Sequence, residues 1–241
     1  MWFKKERNVQ LPQNIVNPAF GEVNVHYKGG KKTVVATVLM EPYVEGTQTG
    51  VAIDGSASMV NNKSFGHTDE PGPGTKMISL RCGGKTVKYG YNEDDNSVEQ
   101  ICQRVVPYLA EKLDADGGTT VVYWACGDGG RNVQLVGDLT ADQARSAQFP
   151  GPDDWGTGTC LLPAMKYFVD RFADAEWGFY VFITDGALSD LDDVVRYTLE
   201  LAKGIHAGKR KPVKCVLIGV GSDVNEDQMS ILDDLDDTHN A

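Results

Sequence analysis

Apolar and polar side chains alternate strictly over residues 22–27, with Val23, Val25 and Tyr27 on one side and Glu22, Asn24 and His26 on the other. That two-residue period predicts a half-buried strand. Gly29 and Gly30 then offer a turn into the β-branched run 33–40, so a β-hairpin is expected. Pro42 and Gly46 break it, and residues 50–54 read as a short buried strand. Residues 61–75, with Pro71 and Pro73, are irregular, and a second hairpin is expected from 77–82 and 86–91 around Gly83-Gly84. Both hairpins share a Gly-Gly-Lys turn, which is too short a match to make a repeat. The acidic run Glu93-Asp94-Asp95-Asn96 reads as a solvated loop.

Further on the period changes. Ser97 and Gln100 form a capping-box pattern ahead of Val98, Ile101, Cys102, Val105 and Leu109 at helical spacing, and Pro107 predicts a kink or an early stop. Residues 119–126 are a strand, and Asp128-Gly129 a turn into an antiparallel strand at 132–136. Thr140 with Gln143 opens a short helix, and 150–158 is a loop. Leu161, Leu162, Met165, Phe168, Val169 and Phe172 make the apolar face of the next helix. A continuous apolar strand over 179–184 ends at Asp185-Gly186. Ser189 and Asp192 are expected to cap a helix with Val194, Val195, Leu199, Leu201 and Ala202 inward. Pro212 precedes a buried strand over 213–220. Asn225 and Gln228 cap a last helix with Ile231, Leu232 and Leu235 inward.

Continuous strands alternating with amphipathic helices predict an α/β fold: a doubly wound, mostly parallel, Rossmann-like central sheet with helices on both faces. An N-terminal β-hairpin region (1–48) precedes the main domain (49–241), which carries a β-rich segment at about 61–96. In such sheets ligands bind beyond the carboxyl ends of the strands, at the topological switch point.

Composition narrows the function classes. The 241 residues, 41% of them hydrophobic, suit one large domain with elaborations. A net charge of −11 disfavours nucleic acid or an anionic membrane as partner and is compatible with a bound cation. Lys4, Lys5 and Arg7 near the start are not followed by an apolar signal region, and the longest apolar strings are strand-sized, so a cytoplasmic protein is expected. Cys82, Cys102, Cys126, Cys160 and Cys215 are scattered without a C-x-x-C pair, as expected of reduced core thiols. His26, His67, His206 and His239 show no metal-ligand spacing.

The chemistry concentrates in 51–59, where an apolar run ends in Asp54-Gly55-Ser56-Ala57-Ser58. Side chains two apart on extended backbone point the same way, so Asp54, Ser56 and Ser58 can converge. A carboxylate and two hydroxyls are hard oxygen donors suited to Mg²⁺ or Mn²⁺. Asp185 also sits just past the carboxyl end of a strand. The plainer reading of Asp54 to Ser58 is a capping turn, that of Asp185-Gly186 and Asp128-Gly129 is a turn, and that of His67 and Asp69 is a solvated loop. A serine hydrolase would need G-x-S-x-G, which is absent because Met59 and Val60 follow Ser58. A phosphatase with Asp54 as nucleophile lacks a second acid two residues on, where Ser56 stands.

These residues resemble the von Willebrand factor A (VWA) domain family, which includes integrin I domains. Asp54-Gly55-Ser56-Ala57-Ser58 matches its D-x-S-x-S motif. Gly158-Thr159-Cys160-Leu161-Leu162-Pro163-Ala164-Met165 is similar to its G-T-x-L-x-P-A-L run, and Thr184-Asp185-Gly186 matches its last acidic loop. The resemblance covers about 50–235 and implies a metal-ion-dependent adhesion site of Asp54, Ser56, Ser58, Thr159 (rather than Thr157) and Asp185. Neutral hydroxyls would leave a Mg²⁺ or Mn²⁺ ion undercompensated, so that a glutamate or aspartate of a partner protein completes its shell. The implied function is a non-enzymatic protein-binding module, most similar to intracellular bacterial members found with tellurium-resistance and stress-response systems. The alternatives are a metal-dependent phosphohydrolase using Asp54 and Asp185, and a structural module without metal; oligomeric state is not indicated. Two departures stand out. Residues 61–96 exceed an ordinary loop and are expected to give partner contacts or cover the site. The family's sixth strand and final helix have no counterpart before Ala241.

Overall fold

Two separate units follow from how the strands pair. The computed structural model describes residues 7–10, 20–28, 31–38, 46–61, 64–73, 75–92, 95–220, 224–233 and 235. The expected turn at Gly29-Gly30, Pro42, the acids Glu93 and Asp94, and the acidic tail beyond Leu235 lie outside the described residues. The chain divides into units 1–44 and 45–241. The first holds β1 (Arg7–Gln10), β2 (Phe20–Lys28) and β3 (Lys31–Val38) in that order in one antiparallel sheet. The β2–β3 register, Val25 opposite Val34 and Lys28 opposite Lys31, is that of the expected hairpin.

The second unit is built on β4 (Thr47–Asp54), β8 (Gly118–Cys126), β9 (Asn132–Thr140), β10 (Trp177–Thr184) and β11 (Val213–Gly219), in the order β11-β10-β4-β8-β9. Every neighbouring pair is parallel except β8–β9. The exception follows from its connection: a short 3₁₀ turn, Asp128–Gly130, can join only antiparallel neighbours, whereas parallel ones need a helical crossover.

Those crossovers are α2 (Ser97–Lys112), α4 (Leu162–Arg171) and α5 (Leu191–His206); α1 (Ala57–Asn61), α3 (Ala141–Ser146) and α6 (Glu226–Asp233) complete the helices described. The pleat sends Ala52, Val122, Trp124, Tyr180 and Phe182 to one face, where Ala164, Met165, Phe168 and Val169 of α4 and Val194 and Leu201 of α5 cover them. Phe168 stacks on Tyr180 at 4.9 Å between ring centroids. Gly50 is the reason the ring fits, since a Cβ there would lie 2.4 Å from Phe168 Cε1. The opposite pleat carries Tyr123, and α2 packs against β8. The architecture is α/β, with a mostly parallel sheet and helices on both faces.

The β-rich segment expected at 61–96 contains β5 (His67–Thr68), β6 (Lys76–Cys82) and β7 (Lys85–Tyr91), arranged β5-β7-β6. Trp155 ties this sheet to the main one, bridging to both Cys82 and Cys126.

Several local expectations need correction. The cap of α2 is Asn96, whose Oδ1 accepts from Glu99 N at 2.9 Å, and Asn96 is buried rather than solvated. Pro107 does not end α2, which runs on to Lys112. Buried His67, 1% exposed, lies in β5 among aromatic rings and not in a solvated loop. β11 is half-buried and outermost among the described strands of its sheet, Cys215 on it is exposed among the described residues, and Ile231 of α6 also faces outward. Asp190, not Ser189 or Asp192, takes the cap position of α5.

Candidate metal centre

The order β11-β10-β4-β8-β9 puts the switch point at the carboxyl ends of β4 and β10. The chain leaves β4 for β8 over one face and later reaches β10, on the other side of β4, over the opposite face. Ile53 pairs with Ile183, so the residues just beyond, Asp54 and Thr184, end side by side. Thr184 Oγ1 donates to Asp54 Oδ2 at 2.6 Å.

Past the end of β4 the backbone turns into α1, and its first groups close on themselves. Ser56 N donates to Asp54 Oδ1 at 2.7 Å, Ser56 Oγ lies 2.8 Å from Ser58 Oγ, and Ser58 Oγ donates to Asp185 Oδ1 at 2.9 Å. Asp54, Ser56, Ser58 and Asp185 are thus one continuous run of oxygen atoms. Asp54 and Asp185 are fully buried and Ser56 nearly so. Burial pushes the Asp54 carboxyl up to about 6, because it outweighs the lowering hydrogen bonds from Thr184 and Ser56, and the like charge of Asp185 adds to the rise. No described Lys or Arg side chain is among the groups that set its acidity.

Thr159 is not hydrogen-bonded to this cluster and is fixed instead to the loop that follows Asp185. Its N–H donates to Ser189 Oγ at 3.1 Å, and Ser189 N donates to Thr159 O at 2.8 Å, locking the two loops together. Asp190 reinforces the lock by accepting from Leu161 N and Leu162 N, both at 2.9 Å, at the start of α4. The Thr159 hydroxyl makes no hydrogen bond to another described residue, and only 8% of Thr159 is exposed. Thr157 is committed elsewhere: its Oγ1 accepts from Gly129 N at 2.7 Å and meets Asp128 at 3.3 Å. Four of the five expected ligands are therefore joined by hydrogen bonds, and Thr159 is placed by the loop that follows Asp185.

Backbone frames the cluster from behind. Gly55 N donates to Trp124 O, Gly156 N to Gly55 O and Ala57 N to Gly156 O, at 2.8, 2.8 and 2.9 Å. Ala125 takes a left-handed φ of 55° in the irregular stretch of β8–β9 pairing, and a Cβ on Gly156 would lie 1.7 Å from Ala125 O. Such strain beside a site is what a locally over-determined backbone can hold.

The motif spacing did not reveal Thr184, Ser189 or Asp190. Thr184 had a signal, being the last inward residue of a strand that ends at the rim. Ser189 had only the look of a cap for its own helix, and Asp190 had no signal.

Among the described residues no three His, Cys, Asp or Glu side chains gather as a metal site; the cluster above has two acids, and its other donors are hydroxyls. The chain matches no protein-family model, and no curated protein matches it.

Proposed function

We propose that the protein is a divalent-cation-dependent protein-binding module of the VWA type, holding Mg²⁺ or Mn²⁺ among Asp54, Ser56, Ser58, Thr159 and Asp185. The single observation that carries this reading is the run of oxygens at the switch point, with two carboxylates buried side by side. All its donors are hard oxygens, the kind Mg²⁺ and Mn²⁺ select. Two buried carboxylates are costly without a compensating cation, and burial accordingly pushes the Asp54 pKa upward. The fit of the residues to the ion is good.

When bound, the ion supplies a positive centre that accepts a carboxylate oxygen from an Asp or Glu of the partner. The chain's own groups do the rest. Asp54 and Asp185 provide the charge, Ser56 and Ser58 present lone pairs without adding more, and Asp190 and Ser189 hold Thr159 at the rim. Ser56 is hydrogen-bonded to Ser58 and Ser58 to Asp185, and no described histidine is bonded to either serine, which favours a binder over a serine nucleophile. The motif resemblance further suggests a cytoplasmic role within a tellurium-resistance or stress-response system.

A pull-down with wild type and Asp54→Ala as baits, run in Mg²⁺ and in EDTA, tests the function. Proteins held by wild type in Mg²⁺, released by EDTA and ignored by the variant are expected. Retention that is indifferent to metal and to Asp54 would remove the reading.

A further inference from the structure

Four cations, Lys76, Arg81, Lys85 and Lys88, fall in the β6–β7 hairpin with no acid between residues 76 and 91, in a chain of net charge −11. Arg81 faces Asp154 at 3.5 Å. Lys76, Lys85 and Lys88 are exposed and form no ion pair among the described residues. Lys76 stands opposite Tyr91, Lys85 opposite Cys82 and Lys88 opposite Ser79, so positive charge is spread along the whole hairpin and over both of its faces, and an anionic counterpart would complement it.

The same hairpin has an open edge. β6 lies outermost in the order β5-β7-β6. Trp155 N donates to Arg81 O at 2.7 Å and Gly83 N donates to Trp155 O at 2.9 Å, so Trp155 occupies the last part of that edge. The β6–β7 register runs without a shift from Lys76 to Cys82. Alternation therefore turns the N–H and C=O of Ser79 and Met77 outward as it does those of Arg81. No described residue pairs with them there. Beyond Trp155 the edge strand is unpaired among the described residues and can serve as a template, and Met77 beside it is 55% exposed.

This edge is wired to the oxygen cluster. Gly83 bonds to Trp155, and the next residue, Gly156, bonds to both Gly55 and Ala57, which flank Ser56. A segment added along β6 would run toward the same rim.

We propose that the open edge of β6 is a docking strip for an acidic, extended segment of a partner protein. That segment pairs with Met77 and Ser79 by β-strand addition and is drawn there by Lys76, Lys85 and Lys88. Backbone pairing gives the affinity and the lysines give the choice of partner. A protein segment fits better than a nucleic acid, because the basic strip is only as long as β6, about 23 Å, and the surface around it belongs to a strongly acidic chain. The inference deepens the reading of the cluster as a carboxylate trap, and rests on it only for the acid that would enter the metal site.

The test uses fluorescence anisotropy of the full chain with a labelled ten-residue peptide alternating Glu and Val, in Mg²⁺ and in EDTA. Mg²⁺ uptake is measured in parallel by calorimetry on every variant. Binding is expected to tighten as salt is lowered. It should weaken at least tenfold in the triple variant Lys76→Glu/Lys85→Glu/Lys88→Glu and in Ser79→Pro, with Mg²⁺ uptake unchanged. Proline at Ser79 removes only an outward N–H, so the hairpin's own ladder survives. Binding that persists in EDTA but is lost in these variants upholds the edge while leaving the metal reading to its own test. Equal binding by wild type and variants, or no peptide binding by a chain that takes up Mg²⁺, overturns the proposal. So does equal binding of a Lys-Val peptide, or stronger binding of a thymidine oligonucleotide or of phosphatidylserine vesicles.

Discussion

The two ends of the central sheet carry nearly the same side chains and use them differently. At the amino end, Asp114 sits with Thr49 and Thr119. At the carboxyl end, Asp54 sits with Thr184, Ser56 and Ser58. Asp114 Oδ2 accepts from Thr49 N at 2.8 Å and Thr49 Oγ1 at 2.9 Å, and its Oδ1 from Asp116 N and Gly118 N at 3.0 and 3.2 Å. Four donors meet the whole accepting capacity of a carboxylate, so Asp114 is a staple between strands. Asp54 is fully buried, has donors only from Ser56 and Thr184, and faces a second acid. An acid among hydroxyls is therefore not a site by composition. The imbalance between buried negative charge and available donors is what singles out the carboxyl end as the candidate.

Exchanging the two acids for neutral side chains should break the symmetry most visibly. Asp54→Ala or Asp185→Ala is expected to weaken Mg²⁺ binding at least a hundredfold in a calorimetric titration. Asp114→Ala should leave that titration unchanged while lowering stability by about 2–3 kcal/mol in urea unfolding, because the Thr49 and Gly118 donors lose their acceptor. If Asp114→Ala also lost Mg²⁺, the distinction between staple and site would fall.

A smaller effect is expected at the loop that joins the two kinds of group. Asp190→Ala strips Leu161 N and Leu162 N of their acceptor, which should cost about 1–2 kcal/mol, as loss of a helix cap does. It should weaken Mg²⁺ by a few-fold through a loosened Thr159. Thr157→Ala should do neither to the metal, since Thr157 serves the turn at Gly129. An equal loss in both variants would mean that Thr159 is not a ligand.

The smallest effect concerns a buried group that belongs to neither end. His67 packs against Trp155 at 5.4 Å and Tyr91 at 5.6 Å between ring centroids, with its Nδ1 unpartnered. Burial lowers its pKa from 6.5 to about 4. The unfolded chain takes up this proton below pH 6.5 and the folded chain only near pH 4. Stability from neutral His67 is thus complete above 6.5 and is lost as pH falls from 6.5 toward 4. His67→Phe should stabilise the protein by about 1 kcal/mol at pH 7 by removing an unsatisfied buried nitrogen, and should flatten the acid limb of a pH series of melting temperatures. A variant with an unchanged acid limb would show that His67 is not the group responsible.

Part of the cluster was legible in the sequence because β4 and β10 each run into an acid, Asp54 and Asp185, and a parallel sheet gathers strand ends. Asp54 and Asp185 could be paired across more than a hundred intervening residues for that reason. The β6–β7 hairpin was equally legible from Gly83-Gly84 between alternating runs. What stayed hidden were bonds with no local pattern. Asp190 caps α4, 28 and 29 positions away in the chain, although the local pattern points only to Ser189 and Asp192 as caps of the helix that follows them. Trp155 joins β6 to β8 through single-residue bridges, which leave no periodicity. His67 looked solvated because proline and glycine surround it, and only the tertiary packing of Phe65, Tyr91 and Trp155 takes it out of water.

The most direct test of the central claim is the melting temperature of wild type and Asp54→Asn, each with Mg²⁺ and with EDTA. Asparagine keeps the shape and removes the buried charge. Wild type should gain stability from Mg²⁺, about 2.7 kcal/mol at a concentration a hundred times Kd, whereas Asp54→Asn should be at least as stable as wild type in EDTA and gain nothing from the metal. A wild type indifferent to Mg²⁺ and Mn²⁺, or a variant that responds as strongly, would contradict the account.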